Sequence, residues 1–177
     1  MNIIIEKNDF NPNYVFFQNS VKNIIMHDGN FTRIIYSNSL FILNSIIFTI
    51  DLHITHFEKY FNKYKYFFNC QYENTKREIE KIAIIEKQIL DRIQFAGKTP
   101  IYKITQQLSY GNIKFYTDTI LDNEYQNIYI KLSGIWETEH EYGISFKFID
   151  SNRFNDNTIH SGATPNTSNK YHYDRFL

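Results

Sequence analysis

The sequence predicts a mainly β protein with one long helix: an OB-like five-stranded barrel with N-terminal additions and a polar C-terminal tail. Three observations lead there. Several stretches alternate apolar and polar residues, as half-buried strands do. Among the longer segments, only 74–97 carries a broad apolar stripe at helical spacing. That segment lies between two groups of strands, where an OB-type barrel places its helix. Residues 1–150 form the expected domain, and 151–177 the flexible tail.

In chain order, "VKNIIMHDGNFTRIIYSN" (21–38) reads as a hairpin, with Asp28-Gly29-Asn30 between two β-branched runs. "IIFTIDLHIT" (46–55) reads as a strand, with Ile46, Phe48, Ile50, Leu52 and Ile54 on a buried face. "KYFNKYKYFF" (59–68) reads as a further strand. Tyr60, Asn62, Tyr64, Tyr66 and Phe68 take one face, and Lys59, Phe61, Lys63, Lys65 and Phe67 the other. The helix follows. Thr75 and Glu78 have capping-box spacing, Ile79, Ile82, Ala83, Ile85, Ile89, Leu90 and Ile93 form its stripe, and Gly97 and Pro100 end it. "YKITQQLSYG" (102–111) suits a short second helix stopped by Gly111, and 112–118 a short strand. Residues 127–149 read as a long hairpin, with Gly134 marking a bulge or sharp bend.

With 42% hydrophobic residues in 177, the chain can bury a sizeable core. Its single cysteine, Cys70, excludes an internal disulfide, and a reducing compartment is the simple reading. The apolar run in "MNIIIEKNDF" is too short for a signal peptide, and no stretch has the length of a membrane span, so a soluble intracellular protein is expected. Net charge is zero, but its distribution is uneven. Residues 57–117 hold 11 Lys/Arg against 6 Asp/Glu, and 118–150 hold 2 against 7. Separated signs can present one basic face; equally, the two segments can neutralise each other as neighbours.

Signatures of catalysis are missing from the sequence. It has no P-loop, dinucleotide fingerprint or nucleophile elbow. Gly97-Lys98-Thr99 echoes the end of a phosphate-binding loop, but residue 92 is Arg where the first glycine belongs. Asp51 and His53 share a strand face without a third ligand at a diagnostic spacing, so neither metal nor cofactor is expected. Glu137, Glu139 and Glu141 lie where the last hairpin turns and read as a solvated acidic loop.

What remains is the dense mixture of lysine and aromatic residues. Single-stranded nucleic acid offers phosphates and flat base faces, and a groove that holds it needs cations and rings together. Lys59, Lys63 and Lys65 suit phosphates, and Tyr60, Tyr64 and Tyr66 suit bases, with Arg33, Tyr36, Lys114 and Tyr116 as additions. The alternative is a core face of aromatics backed by a wet lysine face, since strict alternation sends the two sets to opposite sides.

"KLSGIWET" (131–138), "YGISFKF" (142–148) and the helix before them resemble a family of single-stranded-DNA-binding proteins of nucleocytoplasmic large DNA viruses, similar to the podophage type. The resemblance implies an OB-type fold and a non-catalytic role in viral DNA replication or recombination. It also implies residence in host cytoplasm or nucleus, and replication proteins as further partners; a homodimer is compatible with the sequence. The phage-type proteins carry an acidic tail ending in an aromatic residue. Here 151–177 mixes Asp156 and Asp174 with Arg153, Lys170 and Arg175 and ends in Phe176-Leu177, so the tail's role does not carry over. A rival reading is a scaffolding protein, such as a virion component, whose aromatic surface packs on other proteins.

Overall fold

A computed structural model describes residues 2–23, 29–60, 63–115, 128–150 and 158–160. Five short or medium strands open the chain: β1 (Asn2–Ile4), β2 (Val15–Phe17), β3 (Val21–Lys22), β4 (Asn30–Ser37) and β5 (Ile42–Leu43). They are followed by β6 (Ile46–Ile50), β7 (Ile54–Tyr60), β8 (Lys63–Phe68) and helix α1 (Glu73–Asp91). Then come β9 (Thr99–Ile101), helix α2 (Lys103–Ser109), β10 (Asn112–Phe115), β11 (Ile128–Glu137), β12 (Glu141–Asp150) and β13 (Thr158–His160). The protein is mainly β, with a sheet curled into a half-barrel and two helices, the second lying in the segment that suits a short helix.

The spine of the large sheet is the expected β11–β12 hairpin. The edge of β11 away from β12 is shared. Ile128–Leu132 pairs with β6, and Gly134–Glu137 pairs with β4. The changeover falls at the expected bulge, where the register shifts between Leu132 and Gly134. One strand passing between two partners across a bulge bends the sheet. The described pairings run as an open path, β2-β4-β11-β12-β9, with β3, β5 and β6 attached along it. A three-stranded sheet, β10-β8-β7, is separate from it, and its Tyr64, Tyr66, Phe68 and Ile113 share one core with the large sheet and with Ile82, Ile85, Ile89 and Leu90 of α1.

Several expectations change. The 46–55 segment breaks after Ile50, and both faces of β6 are buried: Ile5 donates its N–H to the Ile47 carbonyl at 2.8 Å along the strand edge, and Ile4 of β1 packs on Ile47. Ile4, Ile47 and Tyr129 make a small second cluster there. Thr75 and Glu78 do not form a capping box. Thr75 Oγ1 accepts the His53 N–H and Glu78 the Asp51 N–H, at 3.2 and 3.3 Å, so the helix satisfies the backbone where β6 gives way to β7. Glu78 also pairs with Lys7 at 2.8 Å. The helix ends at Asp91, not Gly97, as Arg92 and Ile93 turn their N–H groups to Ile89 and Leu90 in tighter bonds. In the segment expected as a tail, Thr158–His160 pairs in parallel with β1; the rest of 151–177 lies outside the described residues. The Asp28 turn lies outside them too, although β3 and β4 pair as the hairpin requires.

Glu86 is fully buried on α1 and serves α2. Its carboxylate accepts the Ile104 and Thr105 N–H groups at 2.9 and 2.8 Å and the Thr105 hydroxyl at 2.6 Å. Burial pushes its pKa up, and these three bonds pull against that. Glu86→Gln turns an amide donor toward one of these donors, and we expect a loss of about 1–3 kcal/mol in urea unfolding. Gly111 ends α2 at φ +67°, a conformation glycine adopts without penalty.

Candidate nucleic-acid interface

The lysine-rich segment is a hairpin, not one strand. β7 stops at Tyr60 and β8 starts at Lys63, so the alternation restarts across the reversal. The register sets Tyr60 opposite Lys63, Lys59 opposite Tyr64, Glu58 opposite Lys65, Phe57 opposite Tyr66 and His56 opposite Phe67. On the far side of β8, Lys114 faces Lys65 and Asn112 faces Phe67. Directly opposed residues share a face of the sheet. One face therefore carries Tyr64, Tyr66, Phe68, Ile113 and Phe57, with Lys59. The other carries His56, Glu58, Lys65, Phe67, Asn112 and Lys114, with the Tyr60 and Lys63 positions. The reversal moves Tyr60 from the tyrosine set to the lysine set and Lys59 the other way.

The first face is core. Tyr64 is 8% exposed and Tyr66 1%, so neither ring can receive a base. Tyr36 is likewise buried, stacked between Phe10 and Phe41 at 5.8 and 6.4 Å, with its hydroxyl oxygen accepting the Asn11 N–H at 3.1 Å. Burial raises its pKa against that hydrogen bond. Tyr36, Tyr64 and Tyr66, three of the five tyrosines expected at the site, are thus structural, because alternation gave them the apolar side of their strands. Lys59 is exposed at the margin of this face, beside a partly exposed Phe57.

On the second face, Phe67 is half-buried, His56 lies parallel to it with ring centroids 4.3 Å apart and 6° between planes, and the Lys65 ammonium sits 4.4 Å from its centroid. A bulge at Thr55 sets this up. Its hydroxyl donates to the Phe67 carbonyl at 3.2 Å and lies 3.1 Å from His56 Nδ1. Lys114 is exposed in the neighbouring strand. Alternation in the sequence places Phe67 with the lysines, yet the tyrosines read there as the stacking rings; His56 is found only from the register. Tyr116 lies outside the described residues. Arg33 is exposed on β4 in the other sheet, opposite Gly134, and does not join this face.

The remaining constellations are structural. Glu137, expected in a solvated loop, is buried; it pairs with Lys98 at 2.8 Å and accepts from Asn30 and Ser20, each at 3.2 Å. Lys98 of the phosphate-loop echo is thereby occupied. Burial would raise the Glu137 pKa, but Lys98, Asn30 and Ser20 outweigh it and hold the carboxyl below its ordinary 4.5. The stability it contributes is therefore present above pH 4.5 and lost as pH falls through the lower folded value. Unfolding free energy measured from pH 7 downward should fall more in the parent than in Glu137→Gln. Among the described residues no group of three or more His, Cys, Asp or Glu can hold a metal, and no helix is long and apolar enough to cross a membrane. Comparison with protein-family models, curated proteins and solved structures finds no match for this chain.

Proposed function

We propose that this chain is a non-catalytic single-stranded-DNA-binding protein of replication or recombination, and that it binds through the outer face of the β7-β8-β10 sheet. The observation that carries the reading is Phe67, an aromatic ring on a wet sheet face, flanked by His56 and capped by the Lys65 ammonium. An exposed cation–π contact is worth about 0.5–1 kcal/mol, and a base stacked on an aromatic ring about 1–3. A base therefore displaces Lys65 from the ring, and the freed ammonium turns to a phosphate. Lys114 stands opposite Lys65 in the register to take a neighbouring phosphate.

The strand order supports this. Taking β4 and β6 together as the first barrel strand, β7 and β8 as the second and third, then α1, and β11 and β12 as the fourth and fifth, the order fits an OB barrel to which β9, α2 and β10 are added between α1 and β11. OB folds bind oligonucleotides on their second and third strands, here the Lys65–Phe67 hairpin. The resemblance of 131–148 to viral single-stranded-DNA-binding proteins points the same way, and with it replication proteins as partners.

The scaffolding alternative has its own observation: Phe16, Val21 and Ile42 are 51, 58 and 72% exposed on strands that pair with β4. Titrating a fluorescent single-stranded oligonucleotide at several salt concentrations tests the proposal. Binding should weaken with salt, with a logarithmic slope of about −0.7 per phosphate neutralised. Absence of binding at low salt, together with self-association through an apolar surface, favours the scaffold.

A further inference from the structure

The outer face of the large sheet gathers three cations, and among the described residues it gives them no counter-charge. Lys131, in the middle of β11, lies between Ile47 of β6 and Lys147 of β12. Past the bulge, Gly134 lies between Arg33 of β4 and Ser145 of β12. In the other direction, Tyr129 lies between Thr49 and Ile149. These three rows hold no carboxylate, and among the described residues none of the three cations forms an ion pair. Lys131 is half-buried. Burial lowers its pKa, and Lys147 and Arg33, each close enough to repel it, lower it further.

Opposed like charges destabilise a sheet, and a desolvated charge without a partner costs more. The free protein thus carries a local penalty that an anion would remove. A place for one exists. Lys131 forms part of the wall of a cleft of about 180 Å³ with Asn44, Ser45, Leu43 and Ile47. Pockets for organic ligands run to roughly 300–1,000 Å³, so this cleft suits a small ion better. An ammonium, an amide and a hydroxyl are the donors an oxyanion needs.

We propose that this cleft binds a phosphate group, held by Lys131 with Lys147 and Arg33 beside it. The site lies on the other sheet from the Phe67 face and does not depend on it. The phosphate can come from a free ion or ester, or from the backbone of a nucleic acid crossing the large sheet.

Thermal unfolding with inorganic phosphate, against chloride at equal ionic strength, is the test, on the parent, Lys131→Met and Arg33→Gln. Phosphate also stabilises proteins generally by exclusion from their surface, so the readout is the saturable part of the shift. We expect that part in the parent, an affinity lower by about tenfold or more in Lys131→Met, and a smaller weakening in Arg33→Gln, whose exposed side chain leaves the core untouched. Without phosphate, Lys131→Met should melt at or above the parent. A parent without a saturable shift, or variants that keep it unchanged, overturns the proposal. A second arm separates the sources. Weaker oligonucleotide binding by Lys131→Met identifies a backbone phosphate, and unchanged binding identifies a free one. If the parent binds no oligonucleotide, the reading of the Phe67 face fails while the phosphate shift still decides this site.

Discussion

Phe67→Ala should weaken binding to a single-stranded oligonucleotide about 5- to 150-fold, the equivalent of the roughly 1–3 kcal/mol that one base stack contributes. The ring stands on the solvated side of β8, outside the main core, so its loss removes little packing and the melting temperature should stay near the parent's. Tyr66→Ala gives the contrast. That ring is 1% exposed on the core side of the same strand, and its truncation should cost about 3–5 kcal/mol of stability, as large aromatic-to-alanine changes in cores do. Two neighbours on one strand thus separate binding from folding. Equal loss of affinity and stability at both positions would remove Phe67 from the site.

Gly134→Ala should destabilise the fold by about 1–3 kcal/mol, as overpacking does. A Cβ at this position would stand 2.4 Å from Phe31 Cζ and 2.5 Å from the Thr32 carbonyl oxygen. The Phe31 ring can swing aside, but Thr32 O is backbone, so β4 itself must move off β11 at the point where β11 changes partners. The expected signature in urea unfolding is a lower midpoint with an unchanged slope. A loss under about 0.5 kcal/mol, the range of ordinary surface substitutions, would mean that the bulge relaxes freely and is not the bend of the half-barrel.

Local features were legible in the sequence and long-range ones were not. The α1 stripe is visible because helical spacing declares its own buried face: Ile82, Ile85, Ile89 and Leu90 are buried, and Ile84, off the stripe, is 58% exposed. The bulge at Gly134 and the αL stop at Gly111 are visible because backbone conformation and close approach demand glycine. The buried outer face of β6 is hidden, since Ile47 declares no side until β1 is known to cover it. Glu137 reads as a solvated acid, and Glu86 declares no role, for the same reason. Their partners are 18 and 39 residues away, at Ile104 and Lys98.

The site itself was half legible. Alternation separated the lysines from Tyr64 and Tyr66, and the structure keeps that separation for Lys65 while it moves Lys59 to the tyrosine face. What alternation could not supply was the chain reversal after Tyr60, which resets the pattern, or the bulge at Thr55, which brings His56 onto Phe67. In the proposed site the conflict between cations and rings on opposite faces resolves without added twist, because the ring on the Lys65 face is Phe67.

Replacing Lys65 and Lys114 with glutamine should lower the salt slope of oligonucleotide binding by about 1.4, at roughly 0.7 for each phosphate that the variant no longer neutralises. The central claim, that nucleic acid lies on the outer face of β7, β8 and β10, is tested most directly by mapping amide NMR shifts as a single-stranded oligonucleotide is added. The account predicts the largest changes at His56, Glu58, Lys65, Phe67, Asn112 and Lys114. Changes that leave this sheet silent and appear only on the large sheet would contradict it.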